Sequence, residues 1–245
     1  MSSRIRQGRN QVTLVRALSK FGVASRAQAA TLIREGKISV NRKTIRSPGL
    51  WVDPRADRIA LNGTIVRKAS NVYLALHKPA GFVTTRSDEK GRKTVYDLLP
   101  EKLNWVFPVG RLDKESTGLL VLTNDTRFGE KLTSPSSKIP KVYHVQFDKP
   151  LHTNDRKQME TGMMLSDGTR TLPAQVKASD WDPAKCEITL KEGKNRQIRR
   201  MGEALGYEVV FLKRIRIGGI RLGNLREGEV RPLTMVEKQG ILGGN

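Results

Sequence analysis

The run Gly110-Arg111-Leu112-Asp113-Lys114-Glu115-Ser116-Thr117-Gly118-Leu119-Leu120-Val121-Leu122-Thr123-Asn124-Asp125 sets one carboxylate, Asp113, beside a guanidinium, Arg111. A carboxylate is charged at neutral pH, and it can attack carbon or accept a proton. Residues 119–122 have the length and composition of a buried strand. A charge held that close to a core costs energy unless it is paired. On these residues alone, an aspartate that caps a turn is an equally good reading.

Three further stretches carry groups that could share a site with Asp113. In Lys141-Val142-Tyr143-His144-Val145, alternation puts Tyr143, Val145 and Phe147 on one strand face. In Ile188-Thr189-Leu190, Leu190 faces as Ile188 does. Glu192-Gly193-Lys194-Asn195-Arg196-Gln197-Ile198-Arg199-Arg200-Met201 leads into a helix. Each has an ordinary structural explanation. Tyr143 fits a core position with a bonded hydroxyl, Leu190 fits packing, and the arginines fit a solvated face or phosphate contacts. A nuclease using Asp113 with Asp125 and a metal would need further carboxylates nearby, and the sequence offers no convincing cluster.

The elements that must position these groups follow from periodicity and stop signals. Val72, Leu74 and Leu76 alternate as a strand, Lys78-Pro79-Ala80-Gly81 is a turn, and Phe82-Val83-Thr84-Thr85 reads as a second strand. Further strands are expected at 118–123, 141–147 and 186–191, and a helix from Gln197 to about Leu205, ended by Gly206. Many strands with few helices between them argue for an α+β domain with a mixed, mostly antiparallel sheet flanked by helices. This domain is expected to span residues 72–240, after a linker at 61–71.

Residues 12–60 read as a separate small unit. Val12, Leu14, Val15 and Leu18 have helical spacing, and Phe21-Gly22 is a stop signal. Ser25 and Gln28 form a capping box that opens a second helix ended by Gly36, and Ile38, Val40 and Ile45 suggest short strands around Asn41. Arg16, Lys20, Arg26, Arg34, Lys37, Arg42 and Lys43 surround this pair of helices, an arrangement suited to phosphate contacts. Residues 1–11 read as a flexible basic arm.

Composition narrows the function class. The 245 residues hold 45 Lys+Arg against 24 Asp+Glu, a formal charge of +21, which points to a polyanionic partner. The excess is uneven: residues 1–70 hold 15 of the basic and 3 of the acidic residues. The lone cysteine, Cys186, excludes an intrachain disulfide and reads as a small packed residue. His77, His144 and His152 fall in separate segments without ligand spacing, so no metal site is expected. The absence of a membrane-length apolar run or a hydrophobic signal core leads to the expectation of a soluble, cytoplasmic protein without a membrane partner. An organelle address in the basic N-terminal stretch stays an alternative.

Taken together, the motifs resemble known families. Residues 12–45, with Phe21-Gly22-Val23-Ala24-Ser25-Arg26 and Gly36-Lys37-Ile38-Ser39-Val40-Asn41, resemble the small RNA-binding domain named after ribosomal protein S4. Arg42 stands where that family commonly has glycine. The Asp113 run, the 192–201 run, His77-Lys78-Pro79-Ala80-Gly81, and Gly218-Gly219-Ile220 with Arg231-Pro232-Leu233-Thr234 resemble the pseudouridine synthases of the RsuA/RluB/RluE/RluF family. That resemblance covers about residues 12–236. It implies isomerisation of a uridine in RNA without a cofactor. Asp113 is then the essential carboxylate, Arg199 the cation beside it, and Tyr143 the ring that stacks on uracil. Leu190 packs on the other side, Lys194 and Arg196 bind substrate, and Arg111 enters the space left when the base leaves its stack. The implied partner is ribosomal RNA or a pre-ribosomal particle, with the large-subunit RNA favoured over small-subunit RNA or tRNA. A non-catalytic ribosome-assembly factor is the rival. Nothing in the sequence demands a dimer, so a monomer is expected.

Overall fold

The computed structural model describes residues 11–67, 70–100, 103 and 105–243. Residues 1–10 of the expected arm and 68–69 of the expected linker lie outside the described residues. Contacts divide the chain into two units: Met1–Asn71 with Lys102–Val106, and Val72–Glu101 with Phe107–Asn245.

The first unit runs β1 (Val12–Thr13), α1 (Leu14–Lys20), α2 (Arg26–Arg34), β2 (Ile38–Val40), β3 (Lys43–Ile45), β4 (Trp51–Val52), β5 (Ile59–Leu61) and β6 (Thr64–Ile65). Leu14, Ala17 and Leu18 of α1 meet Ala29 and Ile33 of α2 over Ile38 and Ile59, all buried. The expected capping box is present. Ser25 Oγ accepts from the Gln28 N–H at 3.3 Å, and Gln28 Oε1 accepts from the Ser25 N–H at 3.0 Å. The small sheet runs past the expected boundary at residue 60. Leu61 pairs with Thr64 and Ala60 with Ile65. Asn62 and Gly63 adopt φ +48° and +83°, the left-handed pair that closes a two-residue hairpin. Part of the expected linker is therefore sheet. Asn41 and Arg42 form a similar turn at φ +52° and +68°. Arg42 thus adopts without strain relief a conformation that favours glycine.

The second unit runs β7 (Tyr73–Lys78), β8 (Phe107–Val109), β9 (Thr117–Thr123), α3 (Thr126–Thr133), β10 (Lys141–Phe147), α4 (Thr153–Thr161), β11 (Gln175–Ala178), β12 (Lys185–Leu190), α5 (Gln197–Ala204), β13 (Val209–Ile217), β14 (Ile220–Arg221), β15 (Val230–Pro232) and α6 (Met235–Leu242). One nine-stranded sheet has the order β11-β12-β10-β13-β9-β7-β15, with β14 beside β13 and β8 beside β9. Its pairings are antiparallel except β13 with β9. This is the α+β, mixed and mostly antiparallel arrangement expected from the sequence.

The parallel joint explains a glycine. At Gly118 (φ +103°), opposite Arg214, a Cβ would overlap the Arg214 backbone. On one face of the sheet, Phe128 and Leu132 of α3 and Ile241 of α6 pack on Leu119 and Val121. On the other face, Gly202 of α5 lies against Phe147 and Val209.

One sequence expectation changes, and the rival nuclease reading loses its second carboxylate. Phe82-Val83-Thr84-Thr85 is not a strand. Val83 makes a single bridge to Thr94, and Thr84 bonds instead to the loop that carries Asp113. Asp125 does not face Asp113 as a co-ligand. It caps α3, accepting from the Arg127 N–H at 3.0 Å, and accepts from the Tyr73 hydroxyl at 2.9 Å. Among the described residues no group of three or more His, Cys, Asp or Glu side chains could hold a metal ion. No described helix is long and apolar enough to cross a membrane.

Candidate active site

Asp113 sits in the loop between β8 and β9, and that loop is held from below by a buried cation. The Lys78 side chain, at the end of β7, is fully buried, and its Nζ donates to Pro79 O at 2.9 Å, Lys114 O at 3.3 Å and Ser116 O at 2.7 Å. An ammonium has three N–H donors, so these three carbonyls use all of them. The Gly81 N–H adds a bond to Lys114 O at 2.8 Å, and Thr84 Oγ1 donates to Leu112 O at 2.8 Å. The loop closes on itself through Ser116 N–H to Asp113 O at 3.1 Å. Burial pulls the Lys78 pKa down to about 8, against the charges of Glu115, Asp113 and Glu227, which raise it.

Facing the loop is one face of the sheet. On β10, Tyr143 stands between Ile188 of β12 and Arg214 of β13, and Lys141 stands opposite Leu190. Tyr143, Leu190 and Leu212 are all buried and line the cleft with Ile198 of α5. The Tyr143 hydroxyl has no hydrogen-bond partner among the described residues. Arg214 is also buried. Its Nε donates to Leu119 O at 2.7 Å, while Nη2 has no partner among the described residues. Burial, with the Arg214 charge second, lowers the Lys141 pKa.

The third wall is the loop from Glu192 to Gln197. Glu192 Oε1 accepts from Gln197 Nε2 at 2.7 Å and from the Leu172 N–H at 2.8 Å, and Gln197 Oε1 accepts from the Lys194 N–H at 3.1 Å. Lys194 Nζ reaches Glu192 Oε2 at 3.6 Å. This ring of bonds fixes residue 196 in the left-handed region (φ +48°) at the start of α5. Arg196 is thereby turned into the cleft, with Nη1 3.8 Å from Asp113 Oδ2.

The cation beside Asp113 is thus Arg196, where the resemblance assigned Arg199. Arg199 lies inside α5, and its Nη1 donates to Val209 O of β13 at 2.8 Å. It makes no ion pair among the described residues and does not line the cleft. The next residue, Arg200, pairs with Asp167, whose carboxyl is held below its usual range first by the Thr169 N–H and second by the Thr169 side chain, with Arg200 contributing less. Arg111 is exposed at the cleft mouth and makes no ion pair among the described residues.

The cleft holds about 340 Å³ and brings together Arg111, Asp113, Tyr143, Leu190, Lys194 and Arg196. It therefore unites the sequence-named groups apart from Arg199. Sequence reasoning missed Leu212 and Arg214, although Leu212-Lys213-Arg214 has strand alternation. Cys186 is buried with its thiol pushed up to about 12, so it stays protonated.

Residues 72–204 match the family described as RNA pseudouridylate synthase, more than half of the chain. The chain belongs to this family. Residues 12–59 match the S4 domain. The pseudouridylate synthase assignment agrees with a solved structure described as that of a pseudouridylate synthase, with a TM-score of 0.69, 29% identity and coverage of 94% of this chain and 99% of that one. The ribosomal large subunit pseudouridine synthase B of Bacillus subtilis is 39% identical over 90% of this chain and 91% of its own length. An uncharacterized RNA pseudouridine synthase of Aquifex aeolicus is 37% identical over 93% and 92%. This pseudouridine synthase is accordingly an isomerase with an RNA-binding S4 domain before its catalytic unit.

Of the residues expected to bind RNA, Arg16, Arg26, Arg34, Lys37, Arg42 and Lys43 are exposed, while Lys20 is half-buried. Lys37 pairs with Glu35 at 2.8 Å.

Proposed function

We propose that this synthase converts a uridine of large-subunit ribosomal RNA to pseudouridine, with Asp113 as the reacting carboxylate. The observation that carries the reading is the cleft, where one carboxylate faces one tyrosine across an apolar slot. In the reaction the bond from uracil N1 to ribose C1′ breaks, and a bond from C5 to C1′ forms. The C5 proton leaves and N1 gains one, so atoms and electrons balance without an oxidant or reductant. Asp113 acts on the sugar, on the base, or as a proton acceptor at this point.

The Tyr143 ring stacks on the uracil, and Leu190 with Leu212 packs against its other side. Such a slot holds the freed base while it turns. Its walls exclude the water that would capture the sugar. Arg196 orients Asp113 in that slot, and Lys194 contacts the RNA backbone. Arg111, exposed at the mouth, fills the place vacated by the extruded nucleotide. One chain supplies every one of these residues, so a monomer suffices. Ribosomal RNA as substrate makes the cytoplasm the expected compartment.

Release of tritium from RNA carrying 5-tritiated uridine tests the reading. Asp113→Asn should lower it by at least about 10²–10⁴-fold, the range for a positioned proton-transfer group, with RNA affinity kept. Substantial turnover in a purified Asp113→Asn preparation would falsify the assignment. Mapping pseudouridines in ribosomal RNA from cells lacking the gene identifies the target. A missing site in the small subunit instead of the large would correct the substrate.

A further inference from the structure

We infer that the open face of the sheet, opposite the cleft, is a second RNA-contact surface that takes a single-stranded segment. Strand alternation turns Tyr143 and Leu212 to the cleft, so their neighbours His144, Phe211 and Lys213 point the other way. Here the face is open: α3 and α6 pack on the cluster that holds Ala75, Leu119, Val121, Ile217 and Ile220, whereas Lys177, His144 and Phe211 are exposed. Register places Lys177, Glu187, His144 and Lys213 in one row across four strands, and Arg216 opposite Arg221 in the next. Glu187 is the single carboxylate on the described strands of this face, 3.8 Å from His144 Nε2. Lys185 is paired with Asp182 at 2.9 Å, whereas Lys177, Lys213, Arg216 and Arg221 make no ion pair among the described residues.

Two aromatic rings stand among these cations. Trp181, in the turn between β11 and β12, is 94% exposed, and Phe211 is 42% exposed. The turn is fixed by Lys185 N–H to Asp182 O at 2.8 Å and by Ser179 N–H to Lys185 O at 2.9 Å. Two hollows of about 550 Å³ each lie along the face and share His144 and Glu187 as a common wall. The first contains Trp181 and Phe211, the second Lys213, Arg216 and Arg221. Exposed rings give unstacked bases a platform, and a bordering line of cations follows the phosphates. The excess of cations selects a polyanion over a protein partner.

The inference rests on RNA being the substrate, and not on which uridine reacts. The test uses the full chain and a fluorescein-labelled large-subunit ribosomal RNA fragment. Joint Trp181→Ala and Phe211→Ala should weaken binding by about 30-fold or more with little change in salt dependence. Joint Lys213→Gln and Arg216→Gln should flatten the slope of log affinity against log salt by about 1.4, from about 0.7 per phosphate contact on a single strand. Trp181→Tyr with Phe211→Tyr should restore the affinity, and kcat for tritium release at saturating RNA should be unchanged in every variant. Wild-type affinity and slope in both pairs would overturn the inference. So would loss of a dimer in sedimentation without loss of RNA affinity, which would give the face to a second copy. Should the wild type release no tritium while the variants still lose affinity, the catalytic reading fails and this one stands.

Discussion

The two units use their cations in opposite ways. In the S4 unit, Arg16, Arg26, Arg34, Arg42 and Lys43 are exposed and make no ion pair among the described residues. In the catalytic unit, the cations around the cleft are mostly committed. Lys78 is spent on three carbonyls, Arg199 and Arg214 each on one, and Arg196 and Lys194 each on a carboxylate. Exposed charge attracts phosphate wherever it lies and needs no fixed geometry. Charge bonded to backbone carbonyls fixes the path of a loop, because each bond has a preferred length and direction. The first is suited to affinity for a polyanion, and the second holds the loop of Asp113 in place.

Gly118→Ala tests the rigid side of this contrast most severely. The new Cβ overlaps backbone and sits at positive φ, so a loss of about 3 kcal/mol or more in denaturant unfolding is expected. A variant of wild-type stability would mean that the joint of β9 with β13 can spread at little cost.

Next comes Lys78→Met, expected to lower kcat about 10²-fold, the cost of displacing a reacting group by about an ångström. In the wild type, raising the pH through about 8 removes one of three N–H donors, so kcat should fall on the alkaline side. Stability follows the other sign. The folded pKa of about 8 lies below the ordinary 10.5, so between those values the unfolded chain binds more protons, and the Lys78 contribution to stability rises with pH. Activity that falls above pH 8 without a falling melting temperature, and a flat profile in Lys78→Met, are the expected pair. An alkaline loss that persists in Lys78→Met belongs to another group.

Arg196→Gln and Arg199→Gln separate a charge partner from a structural bond. The first should lower kcat about tenfold with little change in stability, because the pair is long and partly exposed. The second should cost about 1 kcal/mol of stability and leave kcat near wild type. The reverse pattern would return Arg199 to the place beside Asp113.

The smallest effects are expected in the S4 unit. Arg16→Gln or Arg34→Gln should each flatten the salt slope of RNA binding by about 0.7–0.9 and move stability by less than about 0.5 kcal/mol. A change in kcat at saturating RNA would show that these cations also shape the site.

What the sequence made legible was what depends on local pattern. The Ser25–Gln28 box, β10 at its observed bounds, and β9, β12 and α5 to within one residue follow from alternation, helical spacing and caps. Strand β13 did not, because irregular pairing beside Val210 and Ile215 interrupts its period of two, and with it went Leu212 and Arg214. Lys78 stood in a recognised motif, but nothing local says that its ammonium reaches the Asp113 loop. Arg199 was assigned by the motif resemblance, and nothing in the local sequence signals the left-handed Arg196 at the helix start that turns it towards Asp113. Each miss is a contact between segments far apart in the chain, or a departure from a regular period.

The joint between β9 and β13 also sets an order of events during synthesis. Arg214 bonds Leu119 across a sequence separation of 95 residues. At about 5–20 residues per second, roughly 5–20 s pass between their emergence. Through that interval a nascent chain carries Asp113 and its loop but lacks the strand that supplies Leu212 to the cleft. Asp113 is therefore made long before its cleft is complete, and that cleft arrives late in translation, as a single long-range closure.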